Sequence, residues 1–493
     1  MEKLKSKKME RWTSHDTANN ILVAVFNVVI MFVIFVAMKY FTSAKTNANV
    51  KFFDFFTNIN DVVHTIVLLT LTAAMMVVYF FFEDRNFLKN PANLEMMFLI
   101  IEISVVISFL FSFFVNSYIR PLALVALLTL FLTNRKHAMF MQVVFCIVIL
   151  LTTTVTESSH ALDGVNTYLS LVIGYTSGLL AIFCMSKVYS RGKLLIRSIF
   201  LSVPTVLCVV VPVIQFAQEE NILISLFSGL ASGPISVGLL ILILPVLEGI
   251  FKKITCFKLA ELTDHKSRLI RKLIRSAPGT FNHAIVVSNM AEACAIAIDE
   301  DALLARTCAY YHDVGKLRRP EFFAENQPSG VNPHDDLTPE LSTNIIKAHA
   351  QDGYELVTKN RLPKEIADVC IQHHGTLPIM YFYNKAKKFT DGEVDVKQYC
   401  YPGPKPQTKI AAILMIADGC EAVVRTLKDR SRDNVMKAVK KIIDDRLDLG
   451  QFDECEITIK ELDIIAETLV NNCTGIYHSR VKYPKFKVSD INE

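Results

Sequence analysis

The segment YYHDVGK, residues 310–316, places a histidine and an aspartate side by side and a lysine three residues later. Imidazole and carboxylate groups are common protein ligands of transition metals, and a lysine ammonium binds phosphate as a point charge. His312 and Asp313 are therefore predicted to be metal ligands, and Lys316 is predicted to be a cation directed at a phosphate group.

More residues of metal-binding types occur between positions 283 and 418, well separated along the chain. Side chains that meet in the core of a helical domain are the way in which helix bundles build metal sites. We predict that one metal is held by His283, His312, Asp313 and Asp418. A second is predicted to be held by Asp313, His349, His373 and His374, so that Asp313 bridges the two.

Mixed imidazole and carboxylate ligands suit Fe, Mn, Co, Ni or Zn better than Ca or Mg. Two metals about 3.5–4 Å apart lower the pKa of a bridging water and bind the oxygens of a phosphate during in-line attack. The pattern therefore predicts phosphoester hydrolysis, with Asp313 and Lys316 as catalytic residues. His334, in the polar segment NPHDD, is predicted either to have a structural role or to support the metal ligands from behind.

The elements that carry these residues have a helical pattern. Apolar residues recur at helical spacing in AIVVSNMAEACAIAI, NIIKAHAQDGYELV and IAAILMIADGCEAVVRTL, and loops rich in Pro, Gly and Asn separate them. We find no convincing set of alternating strands. The C-terminal part is therefore predicted to be an all-α soluble domain.

The N-terminal part is predicted to be a polytopic α-helical membrane domain. The 493 residues are 52% hydrophobic, and the apolar residues are concentrated before about residue 250. The first run is interpreted as a retained anchor rather than a cleaved signal. The eight apolar runs, of which the fourth is short, are Ile21–Phe41, Val62–Phe82, Leu94–Val115, Ile119–Thr133, Ala138–Val155, Tyr168–Val188, Leu195–Ala217 and Ile222–Phe251.

Basic residues occupy every second connection between these runs, for example Arg85 and Lys89, then Arg135 and Lys136. The positive-inside rule then predicts that both termini are cytoplasmic, provided that the short fourth run counts as a crossing. Glu102 lies inside the third run, where an ionisable group indicates either a functional site or a protonated side chain that ties two helices together.

Composition also limits the partners. A formal net charge of +4 is too small to indicate binding to a nucleic acid polymer, and the eleven cysteines form no CxxC pair, which favours reduced thiols.

The predicted domains are an N-terminal cytoplasmic segment 1–20, a transmembrane domain 21–251 of about eight helices, a connector helix 252–276, a phosphohydrolase domain 277–485 and a tail 486–493.

Eight motifs carry a resemblance to a known family. They are APGTFNHA (277–284), YYHDVGK (310–316), RPEFFAENQ (319–327), NPHDDLTPELS (332–342), HHGT (373–376), YPGPKPQ (401–407), ADGCEAVVR (417–425) and GIYHSRVKYP (475–484). With them the chain resembles bacterial multi-pass membrane receptors with an intracellular HD hydrolase domain, whose characterised members are cyclic di-AMP phosphodiesterases.

The resemblance implies an enzyme of the bacterial inner membrane that opens cyclic di-AMP to 5′-pApA with two divalent metals, Mn or Fe. It also implies that the seven residues named above are metal ligands and that Lys316 and Arg425 bind the substrate. The chain departs from the family pattern at Asn282, where a histidine is usual, and at Cys400, where an arginine is usual. It also has only residues 42–61 where the family usually carries a large extracellular domain.

A second interpretation is a nucleotide-binding receptor or transporter in which the HD domain is regulatory, and a third is an HD phosphohydrolase that acts on ppGpp or cyclic di-GMP. The complete ligand set favours an enzyme over the regulatory interpretation. A lipid bilayer and a cyclic dinucleotide are the expected partners, and a homodimer is an assembly that the sequence leaves open.

Overall fold

The computed structural model describes residues 13–46, 56, 58–156, 161–186, 188, 190–216, 222–327, 332–389 and 393–476. Within these ranges the chain is helical, apart from one isolated β-bridge between Pro378 and Cys400, so the all-α prediction is confirmed. One compact unit ends at Phe257 and a second begins at Lys258. Most of the predicted segment 1–20 and all of the predicted tail 486–493 lie outside the described residues.

Seven helices of the N-terminal unit are long and apolar enough to cross a membrane, counted over the described residues. The short α4 follows a 3-10 turn at Ser117–Ile119. The helices are α1 Ser14–Thr46, α2 Ile59–Glu83, α3 Pro91–Phe114, α4 Leu124–Leu132, α5 Arg135–Thr156, α6 Ala161–Met185, α7 Arg191–Phe216 and α8 Ile222–Phe251.

The predicted fourth span, 119–133, is thus not a full helix. Pro121 disfavours helical dihedrals at the residue before it, and Arg120 accordingly has an extended ψ of 131°. Residues 121–130 are nevertheless all buried inside the unit. Glu102, on α3, is also buried, and its Oε1 has no hydrogen-bond partner among the described residues, so the predicted tie between two helices is not seen at this atom.

Two contacts show at which side of the N-terminal unit its first helix begins and its last helix ends. Near the start of α1, Asn20 Nδ2 donates to the carbonyl of Leu88, 2.9 Å away in the connection between α2 and α3. Just after α8, Lys253 Nζ lies 5.4 Å from the ring centre of Phe87 in the same connection. The first and last helices of the unit therefore begin and end at the same side.

For the first and last helices to begin and end at the same side, the chain must cross the unit once between α3 and α5, and the segment 115–134 makes that crossing. At the far end of α3, Lys45 Nζ donates to the carbonyl of Phe113, beside the end of α1. Lys136 Nζ, in the first turn of α5, pairs with Glu83 at 2.6 Å, back at the end of α2. The chain thus traverses the unit between residues 114 and 135, partly as the nine-residue helix α4, which spans about 14 Å, and partly as the 3-10 turn and loop residues that precede it.

The C-terminal unit contains the remaining helices, and the chain enters it within α9. Residues 252–276 are predicted to form one connector helix, and the structure has two helices in this range, α9 and α10. The predicted domain limits stay predictions. The helices are α9 Cys256–Leu262, α10 Arg268–Ser276, α11 Pro278–Ala297, α12 Ala302–Tyr311, α13 Pro339–Lys359, α14 Lys364–Gln372, α15 Met380–Phe389, α16 Lys409–Thr426, α17 Arg432–Asp448 and α18 Ile459–Ile476.

Helix α16 forms the centre of this unit, because residues 410–417 are all buried. Side-chain oxygens cap the helices that surround the site: Asp301 begins α12, Thr338 begins α13 and Thr408 begins α16. Fixed helix starts and a buried central helix give the side chains between them defined directions.

Candidate metal centre

Helices from across the C-terminal unit carry the seven predicted ligands to one place. His283 lies on α11 and Asp418 on α16, whereas His312 and Asp313 follow directly after α12. His349 lies on α13, and the pair 373–374 follows directly after α14.

The ligand atoms form two groups, and within each group all of them lie within 4.8 Å of one another. The first group consists of Asp313, His349, His373 and His374, and the second of His283, His312 and Asp418.

Asp313 faces both groups, each with a different oxygen. Its Oδ1 lies 3.3 Å from Nε2 of His349 and 3.7 Å from Nε2 of His373. Its Oδ2 lies 3.3 Å from Nε2 of His312 and 3.6 Å from Nε2 of His283. The carboxylate would therefore serve both groups if each held a metal, and the assignment of the seven residues as metal ligands stays a prediction.

Three of the histidines are oriented by their own helices. Nδ1 of His312, His349 and His373 lies 2.7, 2.6 and 2.9 Å from the carbonyl oxygen three residues earlier. Because a carbonyl only accepts, each Nδ1 carries a proton and donates it, and the neutral ring keeps a free lone pair on Nε2. All three lone pairs point into the cluster, as in metal sites whose histidines are held by second hydrogen bonds.

Several nitrogen and oxygen atoms in the cluster have lone pairs but no hydrogen-bond donor, and a cation would fit among them. Nε2 of His349 and Nε2 of His373 lie 3.4 Å apart, although both Nδ1 atoms hold the ring protons. Nε2 of His312 and Oδ1 of Asp313 are buried without a hydrogen-bond partner among the described residues. Leaving such an atom unsatisfied costs about 1–3 kcal/mol, and one divalent metal in each of the two groups would satisfy these acceptors. The residues present therefore fit divalent metal binding.

Charges around the cluster shift the pKa values in opposite directions. Burial alone would lower the pKa of His283, but hydrogen bonds to Asp418 and Glu421 outweigh it and raise the pKa to about 10. Burial lowers the pKa of His349 to about 4, helped by the neighbouring His373. At neutral pH, His349 is therefore already in the form that binds metal, whereas His283 must lose a proton.

The two aspartates stay ionised despite their burial. Burial raises the pKa of Asp313, but the Lys316 ammonium and the neighbouring His312 ring outweigh it and hold the pKa well below its usual range. Burial likewise raises the pKa of Asp418, and its contact with His283 at 3.0 Å more than reverses the shift. Both carboxylates are thus available as anionic ligands.

Lys316 lies at the edge of the cluster, as its sequence position predicts. Its Nζ is 2.6 Å from Oδ2 of Asp313 and 2.9 Å from Oε1 of Glu325. Arg425, the second predicted substrate residue, is exposed near the end of α16, and its side chain makes no hydrogen bond or ion pair to a described residue. His334 belongs to neither ligand group, and its Nε2 lies 2.9 Å from the carbonyl of Phe322.

Three further residues at the centre were missed by sequence reasoning. Oε2 of Glu421 lies 3.0 Å from Nδ1 of His283, Glu325 pairs with Lys316, and the ring of Tyr401 stacks on His374 at 4.4 Å between centroids. Glu421 had a usable signal, since it follows Asp418 by three positions and therefore shares its face of α16. Glu325 and Tyr401 had none beyond their place in quoted motifs.

An all-helical domain in which histidines and aspartates from five segments converge around a shared carboxylate defines a metal-binding domain of the HD class. The family model described as "HD domain" matches residues 280–423. The model described as "7TM receptor with intracellular HD hydrolase" matches residues 61–255. These two matches confirm the resemblance to 7TM receptors with an intracellular HD hydrolase that the motifs carry, and together with the seven long apolar helices they indicate a multi-pass membrane protein.

Two curated relatives carry the name cyclic-di-AMP phosphodiesterase PgpH. The protein from Bacillus subtilis (strain 168) is 35% identical over 432 residues, which are 85% of this chain and 60% of that protein. The protein from Listeria monocytogenes serotype 1/2a (strain 10403S) is 37% identical over 380 residues, 75% of this chain and 51% of that protein. The chain thus spans little more than half of the length of these relatives.

Among solved structures, the chain is similar to the L. monocytogenes PgpH HD domain in complex with cyclic-di-AMP. The two are 47% identical, and the match covers 44% of this chain and 99% of that chain with a TM-score of 0.42.

Proposed function

We propose that the chain is a membrane-anchored phosphodiesterase that hydrolyses cyclic di-AMP to 5′-pApA with two divalent metal ions, Mn or Fe. The observation that carries the proposal is the Asp313 carboxylate, whose two oxygens face two separate groups of ligand atoms. Support for the substrate comes from the relatives named as cyclic-di-AMP phosphodiesterases.

When bound, a metal pair supplies Lewis acidity and activates water for in-line attack on a phosphodiester. The residues of this chain orient the metal ligands and place a positive charge beside them. The helix carbonyls fix the directions of three imidazoles, Asp313 holds the two groups at a set separation, and Lys316 brings a positive charge beside them. Because most of these side chains are buried, their charges act in a region of low dielectric, where they are worth more than in water.

Mn and Fe are proposed from the family resemblance, and the ligand types are compatible with them. Five imidazoles and two carboxylates form a mixed set of nitrogen and oxygen donors, whereas Mg and Ca prefer oxygen ligands alone.

The proposed location is a bacterial inner membrane with both termini in the cytoplasm. Asn20 and Lys253 contact the same α2–α3 connection, so both ends of the N-terminal unit lie at one side. That connection carries Arg85 and Lys89, and Lys136 pairs with Glu83 beside it. Basic residues concentrated at one side of a membrane domain favour a cytoplasmic location for that side.

The experiment that tests the proposal is a substrate panel. Detergent-purified protein loaded with Mn²⁺ or Fe²⁺ is incubated with cyclic di-AMP, cyclic di-GMP, ppGpp and dNTPs, with Asp313→Ala as the control. We expect kcat/KM for cyclic di-AMP to exceed that for cyclic di-GMP at least ~10-fold, because a mismatched buried donor or acceptor costs about 1–3 kcal/mol.

Equal kcat/KM values would contradict the assigned substrate and leave the metal chemistry intact. Tight binding of cyclic di-AMP without turnover would favour the nucleotide-binding receptor instead. Preferred turnover of ppGpp would favour the other phosphohydrolase.

A further inference from the structure

We propose that Glu325 is a positioning residue that holds the ammonium group of Lys316 beside the metal centre and thereby leaves the Asp313 carboxylate free for metal. The inference rests on the proposed function only in taking the cluster as a metal site. It assigns a task to the motif RPEFFAENQ, which the proposed chemistry leaves without one.

Lys316 competes with a metal for one carboxylate oxygen. Its Nζ lies 2.6 Å from Oδ2 of Asp313, and that same oxygen faces Nε2 of His312 at 3.3 Å and Nε2 of His283 at 3.6 Å. A cation bound by these two imidazoles would therefore require the oxygen that the ammonium now occupies. Lys316 needs a second anion if it is to stay in the site when Asp313 is engaged.

Glu325 supplies that anion. Its Oε1 lies 2.9 Å from Nζ of Lys316, and the two side chains are only 17% and 13% exposed. Burying an ammonium without an anionic partner is costly, so Lys316 without Glu325 would depend on Asp313 alone.

Glu325 is itself held at the start of the helix that carries His283. Thr280 Oγ1 donates to Oε1 of Glu325 at 3.0 Å, and Asn326 Nδ2 donates to that hydroxyl at 2.8 Å. The backbone N–H of Thr280 donates to Oδ1 of Asn326 at 3.2 Å. These bonds fix the carboxylate relative to α11.

Gly279 allows the two segments to approach this closely. A Cβ atom at this position would lie 1.9 Å from the carbonyl oxygen of Glu325, a distance that no side chain can tolerate. The first turn of α11 and the segment 325–326 are therefore in direct backbone contact, and the position of Glu325 is set by main chain as well as by hydrogen bonds.

The test is the affinity of the protein for Mn²⁺ alone, measured by calorimetry on detergent-purified, chelator-treated full-length protein. Glu325→Gln keeps an oxygen that accepts from Thr280 but removes the charge. We expect the affinity to fall about 10-fold, within the range found when outer partners of metal ligands are removed. Glu321→Gln, on the same segment but exposed, is the matched control and should bind Mn²⁺ like the wild type.

A double-mutant cycle with Lys316→Met separates positioning from a general effect on the loop. If Glu325 acts through Lys316, Glu325→Gln should lower the affinity less than about threefold in the Lys316→Met background. An equal loss in both backgrounds, or wild-type affinity in Glu325→Gln, would overturn the proposal.

Glu325→Asp, which keeps the charge at a shorter reach, should retain more affinity than Glu325→Gln; if it does not, the proposal is wrong. The thermal unfolding midpoint of each variant shows that it is folded. Because no nucleotide is present, these results do not depend on whether cyclic di-AMP is the substrate.

Discussion

Oε2 of Glu421 lies 3.0 Å from Nδ1 of His283, whose opposite nitrogen, Nε2, lies 3.0 Å from Oδ1 of Asp418. The imidazole is thus held between two carboxylates from the same face of α16. His283 lacks the helix carbonyl that orients His312, His349 and His373, and Glu421 takes the place of that carbonyl. A carboxylate behind a histidine fixes the ring and makes its other nitrogen a stronger ligand.

Replacing Glu421 should therefore weaken the metal group that contains His283. We expect Glu421→Gln to lower the affinity for Mn²⁺ about 10- to 100-fold, because the amide holds the ring without strengthening it. Calorimetric titration of chelator-treated protein measures this. Glu456→Gln, an exposed position, is the control, and equal affinities in the two variants would contradict the role of Glu421.

Metal affinity should rise with pH because of His283. Its hydrogen bonds to Asp418 and Glu421 outweigh burial and raise its pKa to about 10 in the metal-free protein, so the ring is protonated at pH 7 and must lose that proton to bind metal. Below the pKa, one displaced proton increases the affinity up to ~10-fold per pH unit. His349, with a pKa lowered to about 4 by burial, adds nothing in this range.

Titrations between about pH 7 and pH 9, in buffers of different ionisation enthalpy, report both the affinity and the protons released. His283→Gln should remove most of the slope. Affinity that is independent of pH in the wild type would contradict a His283 that must lose a proton to bind metal.

The seven residues of the two groups could be predicted from the sequence because their chemistry is visible in single residues. Adjacent His312 and Asp313 and the pair at 373–374 are recognisable without knowledge of the fold, and the helical pattern places them in one bundle. The supporting contacts are different in kind. Glu325 reaches Lys316, and Tyr401 stacks on His374, through tertiary packing that leaves no periodic signal in the chain.

In the fourth apolar run, too, one feature could be predicted from the sequence and another could not. Its loop charges predict a crossing, and the contacts of Lys45 and Lys136 bring the chain back across the unit between α3 and α5. Composition alone does not reveal that only Leu124–Leu132 is helical. That follows from Pro121, whose restriction of the preceding residue acts locally within a uniformly apolar segment.

Both chain ends should be on the cytoplasmic side of the membrane. Reporter fusions after residue 493 and before residue 1 should report the cytoplasm, because the contacts of Asn20 and Lys253 bring both ends of the membrane unit to the side with the basic connections. A fusion in the segment between α1 and α2 is the opposite-side control. A C-terminal fusion found outside the cytoplasm would refute the topology and separate the HD domain from cytoplasmic nucleotides.

Removing the shared carboxylate should abolish turnover while leaving the fold largely intact. Asp313→Ala takes one ligand from each group at once, so we expect kcat to fall by several orders of magnitude, and His312→Ala should have a similar effect. The protein should stay folded because Lys316 keeps its ion pair with Glu325, 2.9 Å away, and is not left as an unpaired buried charge. Turnover of cyclic di-AMP by metal-stripped, reloaded protein is the measurement, with the thermal midpoint as the control for folding. Folded Asp313→Ala that retains more than about a tenth of wild-type turnover would be incompatible with a two-metal mechanism built on this bridge.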